Sequence, residues 1–363
     1  MATTTTLRVG VVQFAPRIGK VQANIAKARE LCKGLTPRCV DLLCFPEMIF
    51  TGYVFPDAAS ISPYLEHPRT GPTSTFCAEL ARRLECYVTA GFPEHSEHDS
   101  NSLAAPLPLP LPSPATTAPP TSTPTSSPHN HTGPIGFNSA VLYSPTGEPL
   151  TLYRKSNLFE TDLSWAAPGS GFTVLDLPPP LGKTTIAICN DLNVHNSAVW
   201  NSLEDGPYEL ARHCVREETR LLVLLNAWLK ARNEDDEGGD EGEAKRTEEG
   251  EDNGDDDVEL EPNWETLNWW AQRLRPTWAH HHPTITEKEN GDQRTEPQIN
   301  GSSIEPKDLV VVACNRFGDE GGKTFVGSSA MLMMRRGSGR PRLLHAMGER
   351  EEGIGIWTVP VRL

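Results

Sequence analysis

Short apolar runs and amphipathic stretches alternate along most of the chain. The apolar runs predict β-strands over residues 7–14, 41–45, 86–92, 139–143, 184–189, 220–225, 309–314, 329–334 and 353–359. Apolar residues that recur every three or four positions predict helices over 24–35, 75–84, 208–218 and 264–274. Because strands and helices alternate, the sequence predicts an α/β sheet structure.

Three polar stretches interrupt this pattern. Residues 94–134 are rich in Pro, Ser and Thr, residues 231–261 are acidic, and residues 283–307 are mostly polar. Each stretch has too few bulky apolar side chains to offset the entropy that is lost when a chain becomes ordered. We therefore expect one domain, residues 1–363, that carries three disordered insertions.

The net charge of the chain is concentrated in the acidic insertion. Between Asn233 and Glu261 stand 16 acidic residues against Lys245 and Arg246, which gives −14 of the formal net charge of −15. The remainder is close to neutral, so its charge does not predict nucleic acid or an anionic membrane as a partner. No apolar stretch approaches the ~20 residues of a membrane span.

The cysteines and the beginning of the chain indicate a compartment. Residues 1–6 lack the basic and apolar regions of a signal peptide. The eight cysteines follow no repeating spacing, and neither they nor the histidine run 280–282 are spaced as metal ligands are. We expect reduced thiols in a cytoplasmic protein, with the nucleus as an alternative, and no metal and no cofactor.

Three short segments, far apart in the chain, each place a reactive side chain where an apolar run ends. Glu47 follows the run 42–46, Lys155 follows Tyr153 and Arg154, and Cys189 follows the run 186–188. Buried strands present functional groups at their carboxyl ends. A carboxylate, an ammonium and a thiol brought together supply a base, an oxyanion stabiliser and a nucleophile, which suits amide hydrolysis.

Cys189 stands out among the cysteines of the apolar runs. A cysteine at the end of a strand is more often packing than a nucleophile, and Cys44 and Cys314 fit that description. Cys189 differs because Asn190 and Asp191 break the strand directly after it. The backbone N–H of Asn190 is then available to an oxyanion.

The carboxylate and the ammonium are weaker signals when taken alone. A glutamate after a strand-ending proline is usually solvated, but Glu47 stands between apolar neighbours on both sides. Such surroundings raise the pKa of a carboxylate toward the range of a general base. A lysine at a strand end is usually on the surface, so Lys155 is a catalytic candidate only in combination with Glu47 and Cys189.

In the order glutamate, lysine, cysteine, the three motifs resemble those of the nitrilase superfamily. The matching segments are 44–48, 153–155 and 188–192. The resemblance implies a four-layer αββα sandwich and a catalytic triad of Glu47, Lys155 and Cys189 that works through a thioester.

Further segments resemble the eukaryotic protein N-terminal amidase branch of that superfamily. They are residues 50–55, 189–193, 226–229, and 315–318 leading to 325–329. This resemblance implies hydrolysis of the side-chain amide of an N-terminal Asn or Gln with release of ammonia. The partners would be peptides or proteins with such termini, and a homodimer is one option because superfamily members commonly pair through helices.

One position departs from the superfamily pattern. Many members have a second glutamate eight residues after the lysine, where this chain has Leu163. Counting back from the Pro168-Gly169 pair points to Asp162 as the accessory carboxylate, with Glu160 as the alternative.

A substrate with a free amino terminus presents a cation, so its site should contain a carboxylate. Asp191 is the first choice, although an aspartate that caps N–H groups in a turn has the same sequence pattern. The aromatic residues Tyr53, Phe55 and Trp228 are candidates for the pocket wall. Trp264, Trp269 and Trp270 on the last helix we expect to pack against the sheet or a second subunit.

Two other functions fit the same residues. One is a related carbon–nitrogen hydrolase for a small ω-amide or an N-carbamoyl compound. The other is an inactive member that serves as an interaction scaffold, against which the three intact triad positions argue.

Overall fold

The structure is a computed structural model that describes residues 4–96, 133–203, 205–231, 260–280 and 308–362. The insertions expected at 94–134, 231–261 and 283–307 lie almost entirely outside the described residues. The first boundary was predicted too early, because strand β3 (Tyr87–His95) continues through Glu94 and His95. The Glu94 side chain is 2% exposed and pairs with Arg154 at 2.5 Å, which holds this end of the strand in the sheet.

The strands of the described residues form two six-stranded sheets and one hairpin. The first sheet contains Thr4–Gln13 (β1), Leu42–Cys44 (β2), β3, Gly136–Tyr143 (β4), Pro149–Arg154 (β5) and Gly353–Arg362 (β14), in the order β14-β1-β2-β3-β4-β5. The second contains Leu175–Leu177 (β6), Gly182–Ile188 (β7), Leu221–Asn226 (β8), Asp308–Asn315 (β9), Ala330–Arg335 (β12) and Arg342–Ala346 (β13), in the order β13-β12-β9-β8-β7-β6. The hairpin pairs Phe317–Glu320 (β10) with Lys323–Val326 (β11).

Helices cover the outer face of each sheet. The α-helices are Val21–Leu31 (α1), Ala58–Ile61 (α2), Pro72–Leu84 (α3), Glu209–Arg216 (α4) and Trp264–Arg273 (α5). One apolar cluster joins α1 and α3 to the first sheet, a second lies between the two sheets, and a third joins α4 and α5 to the second sheet. The layers run helix, sheet, sheet, helix, which confirms the predicted αββα sandwich.

Each predicted strand and helix is found, with shifts of a few residues at the ends. The strands that the sequence did not reveal, β5, β6, β10, β11 and β13, lie at sheet edges or in the hairpin. The expectation for the tryptophans of α5 holds for one residue: Trp270 is buried, whereas Trp264 and Trp269 are 55% and 37% exposed. Packing of these two on a second subunit stays a prediction.

Strand direction brings the candidate residues to one edge of the sandwich. In the first sheet β1, β2 and β3 are parallel, and in the second β7, β8 and β9 are parallel. Strand β5 is antiparallel to β4, which is antiparallel to β3, so β5 ends at the same edge as β2. Glu47, Lys155 and Cys189 therefore emerge at neighbouring strand ends.

Three further observations concern the described residues as a whole. All eight cysteines lie among them and none forms a disulfide. No group of three His, Cys, Asp or Glu side chains there is placed to hold a metal ion. No helix in the described ranges is long and apolar enough to cross a membrane.

Candidate active site

Cys189 stands at a sharp change of direction after β7. Its backbone has φ 43°, in the left-handed region that costs energy for a residue with a Cβ atom. Residues Cys189–Leu192 then form a short 3₁₀ turn. The Asp191 Oδ2 atom closes this turn by accepting a hydrogen bond from the Ile188 N–H at 2.8 Å. The thiol is thereby turned out of the strand to face a cavity.

Glu47 follows β2 and is completely buried. Its Oε1 atom accepts hydrogen bonds from Asn138 Nδ2 at 2.6 Å and Lys155 Nζ at 2.8 Å, and its Oε2 atom accepts one from the Ala227 N–H at 2.9 Å. Gly91 permits the close packing, because a Cβ atom there would lie 2.6 Å from the Glu47 Cα atom. A side chain of β4 and groups directly after β5 and β8 thus fix both carboxylate oxygens.

The Lys155 ammonium lies between two carboxylates. It donates to Glu47 Oε1 and, at 2.7 Å, to Asp162 Oδ2, and it lies 3.5 Å from the Tyr53 hydroxyl. An ammonium has three protons. Two are committed to the carboxylates, and the third makes only the long contact with Tyr53, so it is the one available to a substrate oxygen.

The second carboxylate of this network is Asp162. It is buried, and besides the lysine it accepts hydrogen bonds from Asn138 Nδ2 at 3.0 Å and the Phe159 N–H at 2.9 Å. Glu160 is 67% exposed and pairs with Lys323 at 2.8 Å, away from this network. Asp162, and not Glu160, is therefore the carboxylate that contacts Lys155.

The charges of this site act on one another. Burial raises the pKa of Glu47, against the opposing effect of Lys155. Burial would lower the pKa of Lys155, but the charges of Asp162 and Glu47 outweigh it and raise that pKa well above its usual value. Burial and the Glu47 charge raise the pKa of the Cys189 thiol, while Lys155 and the Ala227 N–H oppose this. The resting site therefore holds an ammonium and a neutral thiol, so the thiol must lose its proton as it attacks.

A cavity of about 170 Å³ opens at Cys189. Its wall consists of Tyr53, Phe159, Cys189, Asn190, Asn193, Ala227, Trp228 and Leu229. Of the residues predicted for the pocket, Tyr53, Trp228 and Asn190 line this cavity. Phe55 does not: its ring packs against Tyr64 at 5.3 Å in a buried cluster, and it is absent from the cavity wall.

Asp191 has a different environment from the one expected for a substrate-binding carboxylate. It is 1% exposed, and its oxygens accept hydrogen bonds from the Tyr153 hydroxyl at 2.8 Å and from the backbone N–H groups of Ser156, Asn157 and Ile188 at 2.8–2.9 Å. Burial raises the pKa of this carboxyl. Because its oxygens are occupied and it does not line the cavity, we assign Asp191 to joining the turn at Cys189 with the segment after Lys155.

The structure adds supporting residues that the sequence did not reveal. Glu320 Oε1 accepts hydrogen bonds from the Tyr53 and Val54 N–H groups, each at 2.6 Å. Its other oxygen lies 2.8 Å from Arg316 Nη2, and both side chains are buried. The Arg316 guanidinium also lies 4.0 Å from the centre of the Phe325 ring. This pair fixes the Tyr53 segment of the cavity wall.

A sequence signal existed for some of these residues. Segments 50–55, 315–318 and 325–329 resemble the amidase branch, and the Arg316–Glu320 pair contacts Tyr53 of the first and Phe325 of the last. Asn138 is a polar residue inside the apolar strand β4, which is unusual unless its amide has a specific partner. Ala227 binds Glu47 through its backbone N–H, so its side chain gives no signal for that hydrogen bond.

Comparisons with known proteins agree with this geometry. Residues 8–109 match the Carbon-nitrogen hydrolase family. The chain is 28% identical over 365 residues to a protein N-terminal amidase of Schizosaccharomyces pombe, which covers 96% of this chain and 98% of that one. A protein N-terminal amidase of Saccharomyces cerevisiae is 24% identical over 247 residues, or 62% of this chain and 45% of that protein.

Solved structures share the fold. A crystal structure of an N-terminal amidase superposes with a TM-score of 0.69 at 18% identity and covers all of both chains. An amidase from Nesterenkonia superposes with a TM-score of 0.53 at 16% identity, over 98% of this chain and 90% of that one. The chain is thus similar in sequence to carbon–nitrogen hydrolases and to protein N-terminal amidases, and it shares the sandwich fold of the solved amidases.

Proposed function

We propose that the protein is an N-terminal amidase, which hydrolyses the side-chain amide of an N-terminal Asn or Gln of a peptide or protein to Asp or Glu and ammonia. The observation that carries the proposal is that Glu47 and Lys155, paired at 2.8 Å, lie close enough to Cys189 for their charges to act on its thiol, and that Cys189 lines a cavity. The similarity to the S. pombe amidase, which extends over nearly the whole of both chains, supports the choice of substrate.

Acylation follows from the positions of these groups. Cys189 attacks the carbon of the side-chain amide while Glu47 takes the thiol proton. The negative charge that develops on the amide oxygen is held by Lys155, through its least committed proton, and by the backbone N–H of Asn190. The C–N bond then breaks, Glu47 gives its proton to the departing ammonia, and a thioester remains on Cys189.

Deacylation repeats the sequence with water. Glu47 takes a proton from water, whose oxygen attacks the thioester carbon. The C–S bond breaks, and the proton returns from Glu47 to the Cys189 sulfur. Asp162 accepts a hydrogen bond from Lys155, and Asn138 donates one to Glu47. We therefore assign both residues to positioning, and Asp162 also to keeping Lys155 charged.

The substrate class is tested with a panel of peptides that differ only in the first residue. Ammonia release is measured for Asn, Gln, Asp and N-acetyl-Asn peptides, with free asparagine and a simple ω-amide beside them. We expect release only from the free Asn and Gln peptides. Faster release from the small amides would contradict the proposal in favour of the small-molecule hydrolase.

The chemistry is tested separately from the substrate. Changing Lys155→Met should leave peptide binding measurable and lower kcat by at least about 10²-fold, because one oxyanion donor is lost. The control is Lys33→Met, since Lys33 is 76% exposed and pairs with Glu30 in the neighbouring turn. Wild-type turnover in Lys155→Met would refute the assignment. If an electrophilic amide analogue leaves Cys189 unlabelled, the inactive-scaffold alternative is favoured.

A further inference from the structure

A second, larger cavity adjoins the one at Cys189. Its volume is about 550 Å³, and the two share Asn193, Trp228 and Leu229. The other lining residues are Leu203, Lys230, Ala231, Glu265, Thr266, Asn268, Trp269 and Gln272, mostly from one side of α5. The two cavities thus adjoin along this shared wall, the smaller one at the thiol and the wide part beside α5. We call the wide part the α5 groove.

We propose that the α5 groove binds the backbone of a peptide substrate after its first residue; this rests on the proposed function. When the substrate amide is held at Cys189, the rest of the substrate must extend out of the small cavity. The wall that the two cavities share leads from that opening into the groove. A small ω-amide has no atoms that would reach it. The groove therefore suits a substrate that continues as a chain.

The chemistry of the wall matches a peptide backbone. The groove combines the aromatic and apolar surfaces of Trp228, Trp269 and Leu229 with the side-chain amides of Asn268 and Gln272. Apolar walls with a few amide donors and acceptors are typical of sites that hold an extended chain through its backbone. Such contacts depend little on which side chain follows the first residue.

Trp269 is held in place before any substrate binds. Its indole N–H donates to Asn193 Oδ1 at 2.9 Å, and its ring lies 6.4 Å from that of Trp200. Asn193 in turn donates to Asn190 Oδ1 at 3.0 Å, next to the candidate nucleophile. A tryptophan fixed in this way loses little freedom on binding, which favours affinity.

The charges of the groove also suit a free peptide terminus. Lys230 is paired with Glu349 at 2.8 Å, which neutralises it. Among the residues described for the two cavities, Glu265 is the only carboxylate. The groove is therefore slightly negative, which attracts a substrate that carries a free α-ammonium.

The test is the dependence of kcat/KM on peptide length. Asn-initiated peptide amides of two, three, five and eight residues are compared in the full chain by ammonia release. In the wild type we expect kcat/KM to rise with length and then level off once the groove is filled. Trp269→Ala and the blocking change Asn268→Trp should lower the ratio of kcat/KM for the five-residue amide to that for the dipeptide amide by about tenfold. Trp264→Ala is the matched control, since Trp264 lies on the same helix outside the groove and should keep the wild-type ratio.

The outcomes separate this proposal from the proposed function. If the wild type releases ammonia from every Asn peptide at the same kcat/KM, the groove proposal is wrong while the amidase proposal stands. The same holds if Trp264→Ala lowers the ratio as much as Trp269→Ala. If no Asn peptide of any length releases ammonia, the proposed function itself fails.

Discussion

The carboxyl ends of strands β7 and β9 carry almost the same sequence and have different roles. A cysteine and an asparagine followed by a charged residue stand at or directly after each end: Cys189-Asn190-Asp191 at β7 and Cys314-Asn315-Arg316 at β9. Both cysteines are buried, and burial raises the pKa of both thiols. Composition and burial therefore do not distinguish the candidate nucleophile from a packing residue.

The backbone and the neighbours make the distinction. Cys314 remains inside its strand, and its thiol donates to the Cys44 carbonyl at 3.3 Å. Cys189 lies one residue beyond the equivalent level, because Ile188 and Cys314 both align with Leu225 of β8. Beyond that level the chain of β7 turns. The Cys189 thiol then lies near the charges of Glu47 and Lys155 and lines the cavity. Whether a buried cysteine can react is thus decided by a shift of one residue.

The largest effect should come from exchanging each cysteine for alanine. Cys189→Ala should lower ammonia release at least about 10⁴-fold with little change in the free energy of unfolding, because it removes the nucleophile from a cavity. Cys314→Ala should keep kcat and lose ~1–2 kcal/mol of stability, because it leaves a void between the sheets. Activity assays and thermal unfolding measure both. A folded but inactive Cys314→Ala variant would contradict the comparison.

The residues that follow the two cysteines give the next largest effect. Arg316→Met leaves Glu320 charged, buried and without its partner, which should cost ~3–5 kcal/mol in the free energy of unfolding. It should also lower kcat/KM, because Glu320 holds the N–H groups of Tyr53 and Val54.

The double variant Arg316→Met/Glu320→Gln is the control for this effect. A glutamine oxygen can still accept those hydrogen bonds and carries no charge, so the double variant should recover both stability and activity. Chemical denaturation and ammonia release are measured in parallel. If the double variant is no more stable than Arg316→Met, the buried pair does not work as described.

The sequence was sufficient for the layers and for the order of the candidate residues, and insufficient for the directions of side chains. Apolar strands such as β7 and β8 reveal themselves because they are buried on both faces. The roles of Asp191 and Glu320 depend on which N–H groups another part of the chain brings near. Asp191 is adjacent to Cys189 in sequence, yet its carboxylate points to the segment after Lys155. Glu320 lies far from Tyr53 in sequence, and only the fold brings the two together.

A smaller effect should appear in the pH dependence. Glu47 must be ionised to accept the thiol proton, and burial raises its pKa, so kcat/KM should fall as the pH is lowered through that raised value. The Asn138 hydrogen bond favours the ionised carboxylate and lowers the pKa. Asn138→Ala should therefore move the acidic limb of the kcat/KM profile to higher pH. An unshifted limb, in a variant that folds, would show that Glu47 is not the titrating base.

The smallest effect concerns the third residue of the β7 motif. Asp191→Asn should lower stability, because an amide group would face N–H donors that now reach a carboxylate. It should leave unchanged the ratio of kcat/KM for peptides with a free terminus to that for acetylated peptides. Glu265→Gln should lower this ratio by about two- to fourfold at low salt and less at high salt, as expected for an exposed charge. If Asp191→Asn lowers this ratio and Glu265→Gln does not, Asp191 binds the substrate's amino group after all. Its buried oxygens would then have to release their backbone N–H groups when the substrate binds.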